Sequence, residues 1–204
     1  MGTRFLRFDA DPVTTARRLL GQRLVHVVDG RRLAGVIVEV EAYLGPPDRA
    51  AHTYGGRRSA RNASMWRGGG HAYVYFIYGM HHCLNVVCGP PGSGTAVLVR
   101  ALAASEGLAE LFSRRPGARR ESDLCSGPGR LAQALAIDRS LDGTDLRSDP
   151  ELFIEELRPR TLPATRIGSG QRIGVGYAGE WAARPLRFFV RGSPHVSRPR
   201  GAGG

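Results

Sequence analysis

Two carboxylates, Glu39 and Glu41, stand two residues apart in the stretch "VIVEVEAYL", with Tyr43 next on the same parity and His52 beyond a Gly-Pro-Pro turn. A second stretch, "HAYVYFIYGMHHCLNVV" from His71 to Val87, holds Tyr73, Tyr75 and Tyr78, then Gly79 and Met80, His81, His82 and Cys83, and finally Asn85. Two carboxylates on one strand face are ordinarily a solvated face. Beside tyrosines and a histidine they suit a different use, a pocket that stacks a flat ring and holds a general base next to it. A tyrosine in an apolar strand costs free energy unless its hydroxyl finds a partner, so Tyr73, Tyr75 and Tyr78 call for a reason beyond packing.

Charge narrows the class of partner. The 204 residues carry a net charge of +11, and all 29 basic residues are arginine, with no lysine anywhere. The sequence pI is 10.8. Such a balance points to a polyanion, nucleic acid before membrane, and arginine forks both bind phosphate bidentately and stack on bases. No apolar run reaches the roughly 18 residues of a membrane span. The opening "MGTRFLRFDADP" is interrupted early by charge and has no signal-peptide core. Cys83, Cys88 and Cys125 make an odd count, which fits free thiols in a reducing compartment. His81, His82 and Cys83 are consecutive, and strand neighbours point to opposite faces, so no metal and no cofactor are expected.

The elements that must position these residues follow from periodicity and punctuation. Asp11 and Pro12 open a helix over "VTTARRLLGQRL", with Gly21 near its end. "LAGVIVEVEAYL" alternates as a strand, Val36, Val38, Val40 and Ala42 against Ile37, Glu39, Glu41 and Tyr43. After it comes a turn with one helical turn beyond Asp48. "AYVYFIYGM" and "HCLNVVC" are strands meeting near Gly79, with Tyr73, Tyr75 and Ile77 on one face and Tyr78 on the other parity at the tip. "TAVLVRALA" is a further strand, residues 106–116 a helix, "SGPGRLAQALAI" a helix capped by Ser126, and "LRFFVRG" a late strand. The expectation is an α+β fold: one domain over residues 1–204 with a largely antiparallel curved sheet, flanking helices, a protruding β-hairpin, and a disordered tail over about 198–204.

The ordered set "VEVEAYLGPPDRAAHTYGGRRSARN", "YVYFIYGMHHCLNVV", "VLVRAL", "CSGPGRLAQALAI" and "RIGVGYAGEWAARPLRFFVRGSPHVS" resembles the alkyladenine (3-methyladenine) DNA glycosylase family, from about Val13 to Ser197 and in its compact bacterial form. The resemblance implies roles by position. Glu41 matches the general base that activates water, and Arg100 a residue that helps hold that water. Tyr43, His52 and Tyr75 match the walls of a damaged-base pocket, and backbone near Ile173 closes it. Asn85 matches a pocket residue that crowds the exocyclic amino group of guanine. Tyr78 matches a wedge in the minor groove, and Met80 is placed with it on the DNA-binding side. His81 and His82 depart from the aromatic residues of vertebrate members. The implied partner is double-stranded DNA containing damaged purines, bound by a monomer with no membrane, at a cytoplasmic, nucleoid-associated location.

The lysine count then bears on mechanism. Glycosylases that also cut the strand commonly use an amine to form a Schiff base. Without lysine only the α-amino group remains, which favours a monofunctional hydrolase using water. Flipping a base costs a few kcal/mol, and an aromatic wedge offsets part of that. The tyrosines then have two stacking tasks, one inside a pocket and one inside DNA. A non-catalytic basic module that binds structured nucleic acid is the alternative; it would need the arginines and tyrosines but not Glu41.

Overall fold

The computed structural model describes residues 7–197, so the tail expected over about 198–204 lies outside the described residues. In chain order it contains α1 (Pro12–Leu19), β1 (Arg23–Val28), β2 (Arg31–Tyr43), β3 (Ala72–Ile77), β4 (His81–Cys88), β5 (Thr95–Glu106), α2 (Leu108–Arg114), α3 (Glu121–Leu124), α4 (Pro128–Ala134), β6 (Leu152–Glu155), β7 (Ile167–Gly170), α5 (Glu180–Ala183) and β8 (Arg187–Val190). A seven-residue 3-10 segment, Ala60–Trp66, precedes β3.

The fold is α+β, built on one curled antiparallel sheet. Its strand order is β3-β4-β5-β2-β1-β6, and β8 pairs with β2 and with β7. The long strand β2 therefore forks. Its first half, Arg31–Val36, pairs with β1, whereas Glu39–Glu41 pair with β8; β5 runs along its other edge from Ala34 to Tyr43. α1 packs on β2 and α4 on β4, closing one face of the sheet over the main core.

At the fork two bulges oppose each other. Ile37 faces Leu102, Glu39 faces Ala101, and Val40 faces Val99. Val38 is thus extra on β2 and Arg100 extra on β5. A bulge moves everything beyond it to the opposite face. The core accordingly takes Ile37, then Val40 and Ala42, from β2, and Val97, Val99 and Leu102 from β5. This corrects the simple alternation expected from sequence, which put Ile37 on the same face as Glu39 and Glu41. Beyond the bulges a single row crosses five strands: Tyr73, Asn85, Leu98, Glu41 and Arg187 are successive cross-strand partners. Directly opposed residues share a face, so Tyr73 and Asn85 face the same side as Glu41.

Several boundaries differ from expectation. α1 begins as expected, with the Asp11 carboxylate accepting from the N–H groups of Val13 and Thr14 at 2.9 and 3.0 Å. It stops at Leu19 because Gly21, at φ 84°, turns the chain into β1, a strand the helical pattern had absorbed. The N-cap of α4 is Gly127, not Ser126; the Ser126 hydroxyl accepts from Arg130 Nη1 at 3.0 Å instead. The short strands β6, with the sequence LFIE, and β7, with the sequence IGSG, show no alternation and are defined by their partners. Among the described residues no helix is long and apolar enough to cross a membrane.

Candidate active site

Glu41 is fully buried at the fork. Its Oε1 accepts from the backbone N–H of Ile173 at 2.7 Å and lies 3.2 Å from Arg100 Nη1; its Oε2 accepts from the Tyr43 hydroxyl at 2.9 Å. Burial pushes this carboxyl above the usual carboxylate range, while the Arg100 guanidinium, the Ile173 N–H and the Tyr43 hydroxyl pull against it. The result is a carboxylate that takes up a proton more readily than an exposed glutamate, which is what a general base requires.

Glu39 is equally buried, so the solvated strand face that paired carboxylates ordinarily form is absent here. It accepts from Arg100 Nε at 3.2 Å, Arg187 Nη1 at 3.0 Å, the Ser197 N–H at 2.6 Å and the Ser197 hydroxyl at 2.9 Å. Three of these donors meet Oε1 and one meets Oε2, and the structural effect of Glu39 is to fix Arg100. As the extra residue of the β5 bulge, Arg100 reaches both carboxylates with one guanidinium.

The aromatic groups stand along the same face. His52 Nδ1 is hydrogen bonded to the Tyr73 hydroxyl at 2.7 Å, and the His52 ring meets Tyr75 edge-on with centroids 4.6 Å apart. Tyr73 and Tyr75 stack at 5.4 Å. Asn85 is held by its own side-chain amide, which donates to the Tyr73 carbonyl at 3.1 Å. Burial, with Arg61 adding to it, lowers the His52 pKa below its ordinary value, so the ring is neutral at neutral pH. Burial, with the neighbouring Cys83 thiol adding to it, raises the Tyr75 phenol well above its ordinary value, so the hydroxyl keeps its proton.

Tyr78 and Met80 are not part of this cluster. They project from the β3–β4 turn, 80% and 69% exposed, and Phe76 behind them is 44% exposed. The turn closes through Met80 N–H to Ile77 C=O at 3.3 Å, with φ of 55° at Tyr78 and 67° at Gly79. Two successive residues at positive φ suit the twist of a hairpin, and the first is ordinarily Asn, Asp or Gly. The two departures next to the hairpin turn have separate contacts. His82 packs against Phe76 at 4.9 Å, and His81 lies so close to Gly129 of α4 that a Cβ there would come within 2.9 Å of its ring. Alongside the hairpin an exposed loop carries Arg57 and Arg58, and the 3-10 segment after it carries Arg61, which donates to the Phe76 carbonyl at 2.9 Å.

The sequence reading missed Asp48 and Arg172. Both are buried, and they form an ion pair across a separation of 124 residues. Asp48 showed only as a turn signal and Arg172 as one arginine among many, so nothing in the sequence paired them. Cys83, Cys88 and Cys125 are free and buried, and burial pushes their thiols up to about 11, 12 and 12, which leaves them protonated.

The methylpurine-DNA glycosylase family model matches residues 6–194. The chain is 47% identical over 199 residues to a DNA-3-methyladenine glycosylase of Mus musculus and 46% identical to that of Homo sapiens, covering 93% of this chain in each case. It spans only 59% and 66% of those two relatives. A putative 3-methyladenine DNA glycosylase of Bacillus cereus is 45% identical over 94% of this chain and 96% of its own length.

Proposed function

The chain belongs to the methylpurine-DNA glycosylase family, and from that premise we propose that it excises alkylated or deaminated purines from duplex DNA by hydrolysing the N-glycosidic bond. The observation that carries the reading is Glu41: a fully buried carboxylate with a donor on each oxygen, on the same sheet face as a neutral histidine and stacked tyrosines.

A damaged purine, flipped from the stack, lies against Tyr43, His52 and Tyr75. Alkylation at N3 or N7 makes the ring cationic, and the neutral His52 accommodates that charge where an imidazolium would repel it. As the bond to the sugar C1′ breaks, its electron pair leaves with the base and positive character develops on the sugar. The Glu41 carboxylate stabilises that charge and takes a proton from the water that attacks C1′. Arg100 and the Ile173 N–H hold one carboxylate oxygen and Tyr43 the other, so the base enters the reaction already oriented. Asn85, fixed by the Tyr73 carbonyl, crowds the exocyclic amino group of guanine. Tyr78 fills the vacated stack with Met80 beside it, and Arg57, Arg58 and Arg61 meet phosphate. With no lysine in the chain, water is the nucleophile and the product is an abasic site. One copy of the chain supplies all of these groups, and we propose that it acts as a monomer.

The test is incubation with duplexes carrying a single hypoxanthine, ethenoadenine or 3-methyladenine, followed by assay for abasic product. Base release from at least one is expected. Tight, salt-sensitive binding with no release from any of them would favour a binding module instead.

A further inference from the structure

The Ile173 N–H is a backbone group in the short connection between β7 and α5, and something must hold it on Glu41. The adjacent residue, Arg172, is buried. Its Nη1 donates to the Ala42 carbonyl at 3.0 Å; its Nη2 donates to Asp48 Oδ1 at 2.9 Å and to the Trp181 carbonyl at 3.3 Å. The guanidinium carbon lies 4.7 Å from the centre of the Tyr43 ring. Asp48, with no exposed surface, also accepts from the N–H groups of Leu44 and Ala50 at 3.0 Å each.

We infer that the Arg172–Asp48 pair is a positioning clamp that sets two of the three donors on Glu41, the Ile173 N–H through the chain and the Tyr43 hydroxyl through its ring. The inference rests on the catalytic reading of Glu41. The pair ties together four segments that also share a small apolar cluster of Tyr43, Ala50, Val175, Ala178 and Trp181: the end of β2, the turn leading to His52, the connection after β7, and α5. Arg172 also remains cationic, because the Asp48 carboxylate outweighs the burial that opposes it. A lysine could keep the charge but not the contacts to Ala42, Asp48 and Trp181 together.

The experiment compares Asp48→Asn, Arg172→Lys and the double variant Arg172→Met/Asp48→Leu with wild type. It follows single-turnover release of hypoxanthine across pH 5–9, together with lesion-DNA affinity and melting temperature. The double variant keeps the volume without the buried charges, and its melting temperature reports the cost of the four backbone groups it leaves without a partner, while Asp48→Asn keeps an acceptor for Leu44 and Ala50. In variants that melt cooperatively and bind lesion DNA within about threefold of wild type, we expect the rate to fall about 10- to 100-fold, the size of a misplaced catalytic group. The acid limb should move to higher pH, because a carboxylate that loses hydrogen-bond donors is protonated more easily. Ile173→Pro, which removes the N–H and also restrains the backbone of Arg172 before it, should reproduce the direction of that movement. A folded double variant with wild-type rate and an unmoved acid limb would overturn the clamp. Absence of release by wild type on every lesion duplex would instead overturn the function proposed for Glu41, so the two failures are distinguishable.

Discussion

In the buried centre every carboxylate oxygen of Glu39 and Glu41 has a partner, and neither residue has exposed surface. At the hairpin tip Tyr78 is 80% exposed, at a φ of 55° that a side chain disfavours, and Gly79 beside it has no atom near its missing Cβ. The centre fixes its groups by saturating them with hydrogen bonds. The tip leaves its group unsupported and presents it to the outside. A residue that acts on a bond must be held to within a fraction of an ångström before the substrate arrives. A residue that enters a partner needs its surface free until then. The two regions should therefore fail differently when cut: the centre in stability and chemistry, the tip in neither, but in the step that brings the base in.

The largest effect expected tests the saturation of the centre. Glu39→Gln removes the charge that meets Arg100 and Arg187, and breaking a buried pair costs about 3–5 kcal/mol. For a chain of this size that is a fall in melting temperature on the order of 10 °C. An unchanged melting temperature with lost activity would mean that Glu39, not Glu41, contacts the water.

Glu41→Gln comes next. The rate of base release should drop by at least about 10²-fold, as for loss of a general base, while lesion-DNA binding is kept. Single-turnover rates and a binding isotherm check it. The pH profile of wild type belongs to the same test. Burial raises the Glu41 carboxyl, so activity should be lost on acidification at a pH above the ordinary glutamate value of 4.5. An acid limb at or below that value would count against Glu41 as the base.

Tyr78→Ala sharpens the contrast. Losing the wedge should cost the flipping step about 1–3 kcal/mol, hence about 5- to 150-fold in excision from a matched duplex. A mismatched or single-stranded lesion should lose less, since it costs less to extrude. Equal losses in all three contexts would make Tyr78 a pocket residue.

The smallest effect separates strain from function at that position. A side chain at positive φ costs about 1–2 kcal/mol, and alanine keeps that cost whereas glycine does not. Tyr78→Gly should therefore melt above Tyr78→Ala by roughly 2–4 °C, and both should excise poorly. The reverse order of melting would mean the turn is not strained as its geometry indicates.

How much of this was legible in the sequence depended on how local each cause is. Asp11 and Pro12 could be recognised as a helix start because a cap acts within three residues. The hairpin and its tip could be recognised because alternation and Gly79 lie together in the chain. Tyr43, His52, Tyr75, Asn85 and Glu41 were named through a family likeness; their residue types suggested a stacking pocket, and spacing put Glu41 and Tyr43 on one strand face but could not bring His52, Tyr75 and Asn85 to it. β1, β6 and β7 left weak traces because a short strand is defined by the neighbour that pairs with it.

The sequence by itself determined the inventory: two nearby carboxylates, a cluster of polar-tipped aromatics, arginine as the sole basic residue, and a turn that exposes Tyr78. Tertiary structure alone decided how the surroundings of the two carboxylates differ. The bulges at Val38 and Arg100 turn both glutamates away from the core and put one guanidinium between them. Ser197, Arg187 and Arg100 then saturate Glu39, while the Ile173 N–H, Arg100 and Tyr43 orient Glu41. The physical reason is sequence distance. Ser197 is 158 residues from Glu39, and Ile173 is 132 from Glu41. Two identical side chains two positions apart differ in proton affinity and access only through groups that folding brings to them from the far end of the chain.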